Sequence, residues 1–479
     1  MEQYNLFIDG NWVESTSSAR LEVDNPANET VIATIPEGTT EDASRALEAA
    51  QRAQPAWAAL PATQRAAYIQ ELAKAVLAHK DKLARVVVAE QGKPLNQAEG
   101  EIEATAGFLT YAAEWARRIE GDIVPSDNPD EEVWIRRVPY GVVVGLTAWN
   151  YPSALVARKL GPALVTGNTF VLKGHEITPL SGLEIAKLAS QVGLPDGVFN
   201  VVTGLGRVVG QTLVEHPLAD RITMTGSVRA GKEIFAAAAS ELKILSLELG
   251  GKAPFIVMED ADLDKAVESA ITARFTNCGQ ICTCNERMYL HEAIADEFLD
   301  KFIAKAKALT VADPLTNPDM GPKVSGLEVD KVADMVQTAK DTGAQVLLEG
   351  GRLTGGTYDK GHWYAPTVLE VSNNQNLIMQ QEIFGPVVPV MRVTSFEDAL
   401  QYANQSNYGL SAYVYTQNFR RIMRLTDELE FGELYINRSV GELLQGFHTG
   451  WKHSGLGGED GKYGVDSYLR KKTMYVNWS

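Results

Sequence analysis

Cysteine is nearly absent from this chain of 479 residues: there are three, and all fall between Cys278 and Cys284. An odd number of thiols packed this closely argues against a disulfide framework. Tetrahedral zinc needs four ligands, and His291 is the one histidine nearby in sequence, so no metal is expected. A surplus of positive charge is also missing. The chain has 44 Lys and Arg against 61 Asp and Glu, a formal charge of −17, which disfavours nucleic acid and anionic membranes as partners. No apolar run is long enough to span a bilayer. The most apolar stretch, Val142 to Val156, is interrupted by Gly145, Asn150 and Pro152 and is followed by Arg158 and Lys159, so it reads as buried strand and loop. The first residues show no basic segment leading into an apolar core, so no secretory signal is expected. Scarce thiols and no signal predict a reducing cytoplasm.

What remains is an ordinary globular composition, 45% apolar, with a length that suits two or three domains. Leu6 to Val13 predicts a hairpin turning at Asp9-Gly10. Helical periodicity follows over 40–53, 63–79, 81–91 and 96–119, the first opened by capping signals in Thr40-Glu41-Asp42-Ala43. From Val133 the pattern turns to strand: 133–138, 141–146, 168–173 and 198–202, with a helix over 179–192. This alternation predicts an α/β fold with a parallel sheet covered by helices. A second alternating region runs from about Gly251 to Gly450, and 471–476 is again strand-like.

The clustered thiols suit either a reactive thiolate or buried packing. Gly204-Leu205-Gly206-Arg207-Val208-Val209-Gly210 has the outline of a dinucleotide fingerprint, with one residue too many before the last glycine and no acid at the usual distance. Lys173-Gly174-His175-Glu176 ends a strand, where α/β sheets bind ligands; it suits ribose hydroxyls or a solvated charge pair. Thr225-Gly226-Ser227 precedes a helix, where it suits a pyrophosphate or an ordinary N-cap.

Four motifs in register resemble the aldehyde dehydrogenase superfamily: Trp149-Asn150-Tyr151-Pro152, Leu247-Glu248-Leu249-Gly250-Gly251-Lys252, Asn277-x-Gly279-Gln280-x-Cys282 and Glu382-Ile383-Phe384-Gly385-Pro386. The likeness extends over the whole chain. Ala157-Arg158-Lys159, Tyr435-Ile436-Asn437-Arg438 and Gln445-Gly446-Phe447-His448-x-Gly450-Trp451 are most similar to the branch of bacterial lactaldehyde, glycolaldehyde and sugar-aldehyde enzymes. The resemblance implies a Rossmann-like cofactor domain (1–119 and 141–250), a catalytic domain (251–458) and a small β oligomerisation flap (120–140 and 459–479), assembled as a homodimer or homotetramer.

It also implies roles. Cys282 would be the nucleophile, with Cys278 and Cys284 left to packing. Asn150 and the Cys282 backbone N–H would bind the oxyanion, and Glu248 would activate water. For the cofactor, Lys173 and Glu176 would bind the adenine-side ribose and Ser227 the pyrophosphate. Gly206 would admit it closely, and Glu382 and Phe384 would hold the nicotinamide end. Thr147, Trp149, Thr225, Gly226 and Leu249 would line the same groove, and Tyr151, Arg158, Glu442 and His448 the substrate funnel. A branch that transfers the acyl group to coenzyme A generally lacks the glutamate, so Glu248 implies hydrolysis. The family usually has Pro after the lysine, whereas here Gly174-His175 follows Lys173. Glu176 should favour NAD by repelling a 2′-phosphate; a protonated His175 would partly offset that and leave NADP open, but His175 is expected to point to solvent. The expected activity is oxidation of a small hydroxy-aldehyde. The alternatives are a succinate-type semialdehyde dehydrogenase, with Arg158 pairing the distal carboxylate, and a catalytically silent relative.

Overall fold

The computed structural model describes residues 2–479. Two sheets organise the chain. The first has eight strands, and its five central parallel ones lie in the order Ile244–Glu248, Arg221–Thr225, Val142–Leu146, Thr169–Lys173, Phe199–Val201. Val142–Leu146 and Thr169–Lys173 are buried along their whole length, as strands covered on both faces must be, which explains their unbroken apolar character. From Val142–Leu146 the chain moves outward to one side and then returns to add strands on the other. That topological switch opens a crevice at the carboxyl ends, between Leu146 and Thr225. The second sheet has seven strands. Six are parallel, and Gln345–Leu348 pairs antiparallel at one edge. A separate antiparallel sheet joins Asp122–Pro125, Glu131–Pro139 and Leu469–Asn477.

The predicted elements are present with shifted ends. The hairpin turns at Asp9-Gly10, both with positive φ. The first helix is capped by Thr39, one residue earlier than expected, in a box with Asp42. It continues through Pro55 to Ala59, because Trp57 is buried there and donates through Nε1 to the Leu164 carbonyl at 3.1 Å. Part of the stretch 142–156 read as strand and loop is helical: Ala154 opens a helix, Ala154–Val165, whose twelve residues are all buried. Two boundaries cross the expected domain limits. Gly455–Leu456 pairs with Ile244–Glu248 in the first sheet, and Glu459 and Asp460 lie against Arg158 and Lys159, away from the flap strands. Among the described residues no helix is long and apolar enough to cross a membrane.

A buried ion pair ties the helical layer to the crevice. Lys93 Nζ lies 2.6 Å from Glu101 Oε2, with both side chains fully buried, and donates to the Asn150 carbonyl at 2.8 Å. The other Glu101 oxygen accepts from the Ser153 and Ala154 amides at the start of the buried helix. Lys93→Met would leave the Glu101 carboxylate buried without its cation. It should destabilise the fold by about 3–5 kcal/mol, the usual loss for half of a buried pair, read as a lower denaturant midpoint.

Candidate active site

The crevice between the sheets widens into a cavity of about 610 Å³. Its walls include Trp149, Asn150 and Tyr151 from the loop after Leu146, and Arg158 from the buried helix. Thr225 ends one neighbouring strand, with Gly226 and Ser227 after it, and Glu248 ends the next, with Leu249 after it. Cys282, Glu382, Phe384, Glu442 and His448 come from the second half of the chain. Of the residues singled out in the sequence, Thr147, Lys173, His175, Glu176 and Gly206 lie outside these walls. They sit farther along the carboxyl edge of the same sheet: the Thr147 amide donates to the Lys173 carbonyl at 3.3 Å, and the segment Gly206–Gly210 begins a helical turn after the adjacent strand.

Cys282 follows a turn in which Asn277, Cys278 and Gly279 have φ of 51°, 56° and 70°. Left-handed backbone is costly for the first two, so the surroundings must hold it. Gln91 donates to the Asn277 side chain at 3.0 Å, Gln97 accepts from its amide at 2.9 Å, and Arg274 donates to the Gly279 carbonyl at 2.9 Å. Gly279 has no room for a side chain, because a Cβ there would stand 2.4 Å from the Gly385 carbonyl oxygen. The cysteine motif and the Glu382–Pro386 motif are therefore packed directly together. Cys282 is partly exposed, while Cys278 and Cys284 are buried. Burial pushes those two thiols up to about 11 and about 12. Asn150 donates through Nδ2 to the Gln280 carbonyl at 3.0 Å, which fixes its amide beside the cysteine turn.

Glu248 is 2% exposed, and neither carboxylate oxygen has a hydrogen-bond partner in the protein. Desolvation pushes its pKa up to about 8. His448 Nε2 lies 3.5 Å from it, while His448 Nδ1 lies 3.2 Å from Glu433 and 3.8 Å from Glu442. Arg158 is paired with Asp460, and Glu442 and Glu459 lie 3.4 and 3.5 Å away. The Arg158–Glu442 contact is thus one part of a larger network. Glu433, Glu459 and Asp460 were not found in the sequence. The pair Glu459-Asp460 preceding a glycine was visible, but its convergence on Arg158-Lys159, some 300 positions away, was not. Glu433, Glu442 and His448 also bring three metal-capable atoms within 4.8 Å, a grouping that no spacing along the chain reveals.

On the cofactor side, Trp149 and Phe384 meet edge to face at 5.2 Å. The Gly251 amide donates to Glu382 at 2.7 Å, and burial pushes the Glu382 carboxyl up to about 7. Ser227 caps the helix Val228–Ala238, accepting from the Ala230 amide at 3.2 Å; this leaves its hydroxyl proton free to donate. Around Gly206 an added Cβ would meet nothing within 4 Å, so the approach there is open. Lys173 and Glu176 form an ion pair of 2.8 Å. His175 is half-buried and carries no charge that would offset Glu176. Its Nδ1 accepts from the Ile177 amide at 3.2 Å, and burial pushes its pKa down to about 4, so the ring is neutral near pH 7.

The model of the aldehyde dehydrogenase family matches residues 12–474. The chain is 48% identical over 479 residues to a 3,6-anhydro-alpha-L-galactose dehydrogenase of Vibrio sp. (strain EJY3), with all of both chains covered. It is 43% identical over 476 residues to the lactaldehyde dehydrogenase of Escherichia coli (strain K12), covering 99% of this chain and 98% of that one. A solved 3,6-anhydro-L-galactose dehydrogenase in complex with NADP superposes with a TM-score of 0.98 at 49% identity, covering 99% of this chain and 100% of that one.

The three thiols should separate by accessibility. Under native conditions iodoacetamide should label one cysteine per chain, identified by peptide mapping as Cys282, and the other two should react only after unfolding. Equal native labelling of Cys278 or Cys284 would contradict the packing described.

Proposed function

The chain belongs to the aldehyde dehydrogenase family, as an NAD(P)-dependent oxidoreductase, and we propose that it oxidises a small hydroxy-aldehyde to the carboxylic acid by hydrolytic, cysteine-based chemistry. The observation that carries this reading is the convergence of Cys282, Glu248 and Asn150 on one cavity whose inner wall bears Arg158, Glu442 and His448.

Cys282 Sγ attacks the aldehyde carbon as the thiolate, and negative charge gathers on the carbonyl oxygen. The Asn150 amide and the Cys282 backbone N–H are assigned to that oxygen; a donor of this kind contributes about 2.7–4 kcal/mol in comparable sites. NAD(P), when bound, accepts the hydride from the tetrahedral carbon. Lys173 and Glu176 are assigned to its adenosine ribose, with Ser227, Thr225, Gly226 and Gly206 along its phosphates. Thr147 and Leu249 wall the groove, and Trp149, Glu382 and Phe384 hold the nicotinamide end. The resulting thioester needs an activated water. Glu248, buried on the cavity wall with neither oxygen hydrogen-bonded to the protein, is suited to take its proton once ionised. The Lys173–Glu176 pair supports use of NAD through the ribose hydroxyls. Because Lys173 already offsets the Glu176 charge, NADP is accommodated as well.

Tyr151, Arg158, Glu442 and His448 are assigned to the substrate. Arg158 is already surrounded by three carboxylates, which disfavours capture of a distal carboxylate and therefore the semialdehyde alternative. The unpartnered Glu248 and the partly exposed Cys282 argue against a silent relative. Ile123 and Tyr475, exposed on the three-stranded sheet, and Trp478, exposed just after its last strand, support assembly with further copies of the chain.

A panel of aldehydes assayed with both NAD and NADP tests the reading. Lactaldehyde, glycolaldehyde or a sugar-derived aldehyde should exceed propanal in kcat/KM by roughly tenfold or more, because a site with buried polar groups rejects analogues that leave them unpaired. Propanal oxidised as efficiently as lactaldehyde would remove the hydroxy-aldehyde assignment.

Glu248→Gln should keep a pre-steady-state burst of NADH and lose steady-state turnover, since acylation does not require the activated water. In the wild type, deacylation should rise with pH up to about 8, because Glu248 takes a proton only as the carboxylate. A variant with neither burst nor turnover would mean that Glu248 serves the thiol or the fold.

A further inference from the structure

Among the described residues Phe384 is the one aromatic residue on a backbone of positive φ, at 56°. Left-handed backbone crowds any bulky side chain, so the surroundings must hold it. Two buried groups of opposite charge do so. Glu286 accepts from the Ile383 amide at 2.8 Å and from the Phe384 amide at 2.9 Å. Glu286 is itself fixed by Lys252 at 2.8 Å and Arg274 at 3.1 Å. On the other side of the same residue, Lys323 Nζ donates to the Phe384 carbonyl. The Lys323 side chain is fully buried, and the nearest oxygen of Glu328 is 3.8 Å away. An ammonium held out of water without a close carboxylate is costly, and among the described residues the Phe384 carbonyl is its one hydrogen-bond acceptor. The backbone that carries it is anchored. The Lys323 amide donates to the His362 carbonyl at 2.8 Å, and the Val324 amide to the Gln280 side chain of the cysteine turn at 3.0 Å. Lys323 Nζ stands 6.0 Å from the centroid of each ring of the Trp149–Phe384 pair. Both rings line the cavity, and Lys323 does not.

We propose that Lys323 is a positioning residue for the cofactor: by clamping the Phe384 carbonyl opposite Glu286, it sets the Phe384 ring against Trp149 and so builds the wall that receives the nicotinamide. This rests on the assignment of Phe384 to the nicotinamide end. Lys323 acts through one residue and touches neither cofactor nor substrate. Without the ammonium, the Phe384 carbonyl loses its donor, and the left-handed backbone keeps only the Glu286 half of its clamp. The ring is then released to other orientations. Binding has to order it again, so affinity falls for a ligand that uses the ring. A ligand confined to the adenosine and phosphate end of the groove is unaffected.

The test is a double-mutant cycle in the full-length enzyme, read by calorimetric binding of NADH and of ADP-ribose, which lacks the nicotinamide. Lys323→Met keeps the length of the side chain and removes the donor; Phe384→Ala removes the ring. Each should weaken NADH binding roughly tenfold and leave ADP-ribose binding within about twofold of the wild type. The double variant should bind NADH as Phe384→Ala does, to within about twofold, because a lysine that acts only through the ring has nothing left to position. Lys323→Gln, which stays polar but is shorter, carries the same cycle should Lys323→Met not fold. Equal weakening of ADP-ribose would overturn the proposal, since the lysine would then support the fold at large. Additive losses in the double variant would overturn it too. Wild-type NADH affinity in Lys323→Met beside a weakened Phe384→Ala sinks the Lys323 role alone. If Phe384→Ala itself binds NADH like the wild type, the nicotinamide assignment of Phe384 fails, and the Lys323 role goes with it.

Discussion

The Asn150 carbonyl oxygen accepts from Lys93 Nζ at 2.8 Å and from Asn277 Nδ2 at 3.1 Å. These two bonds join three distant parts of the chain: the helical layer through Lys93 and Glu101, the switch point of the first sheet through Asn150, and the cysteine turn through Asn277. The left-handed backbone before Cys282 persists because this junction and the contacts of Gln91, Gln97 and Arg274 leave it no alternative. The Asn150 Nδ2 bond to the Gln280 carbonyl adds a second link, so the amide and the cysteine turn are held together from both ends of Asn150.

A second constraint is the amount of charge placed out of water. Lys93 with Glu101, Lys159 with Glu459, and Lys252 and Arg274 with Glu286 are buried pairs, each side chain 3% exposed or less. Such pairs contribute little net stability, but losing one partner is severe, so they fix geometry more than they add to the fold. Glu248 is the exception. It has no hydrogen-bond partner in the protein, and its raised pKa follows from that isolation. Charges that position the site are hydrogen-bonded, and the one assigned to accept a proton is not, with His448 Nε2 standing 3.5 Å away.

The same contrast holds across the cofactor crevice. Ser227 is both an ordinary helix cap and a residue with a proton to donate, so the two readings its sequence context allowed are compatible. His175 is different: a histidine next to a glutamate invites a charged reading, but the water it loses on burial keeps the ring neutral, and its Nδ1 accepts from the Ile177 amide.

The sequence by itself determined the alternation of strands and helices, because burial on both faces makes Val142–Leu146 and Thr169–Lys173 continuously apolar and amphipathic helices repeat with their own period. It also displayed the local motifs around Asn150, Glu248, Cys282 and Glu382, whose spacing is itself a chain property. Tertiary structure alone decided what those motifs face. Passage of the first helix through Pro55 depends on a pocket for Trp57 built by the segment around Leu164. The acids around Arg158 and His448 come from 433, 442 and 459–460, and no local pattern marks side chains that meet only after both sheets have formed. Charge is the property least legible in a sequence. A carboxyl or imidazole takes its protonation from the solvent it loses and the partners it gains, and both are set when the chain closes around it.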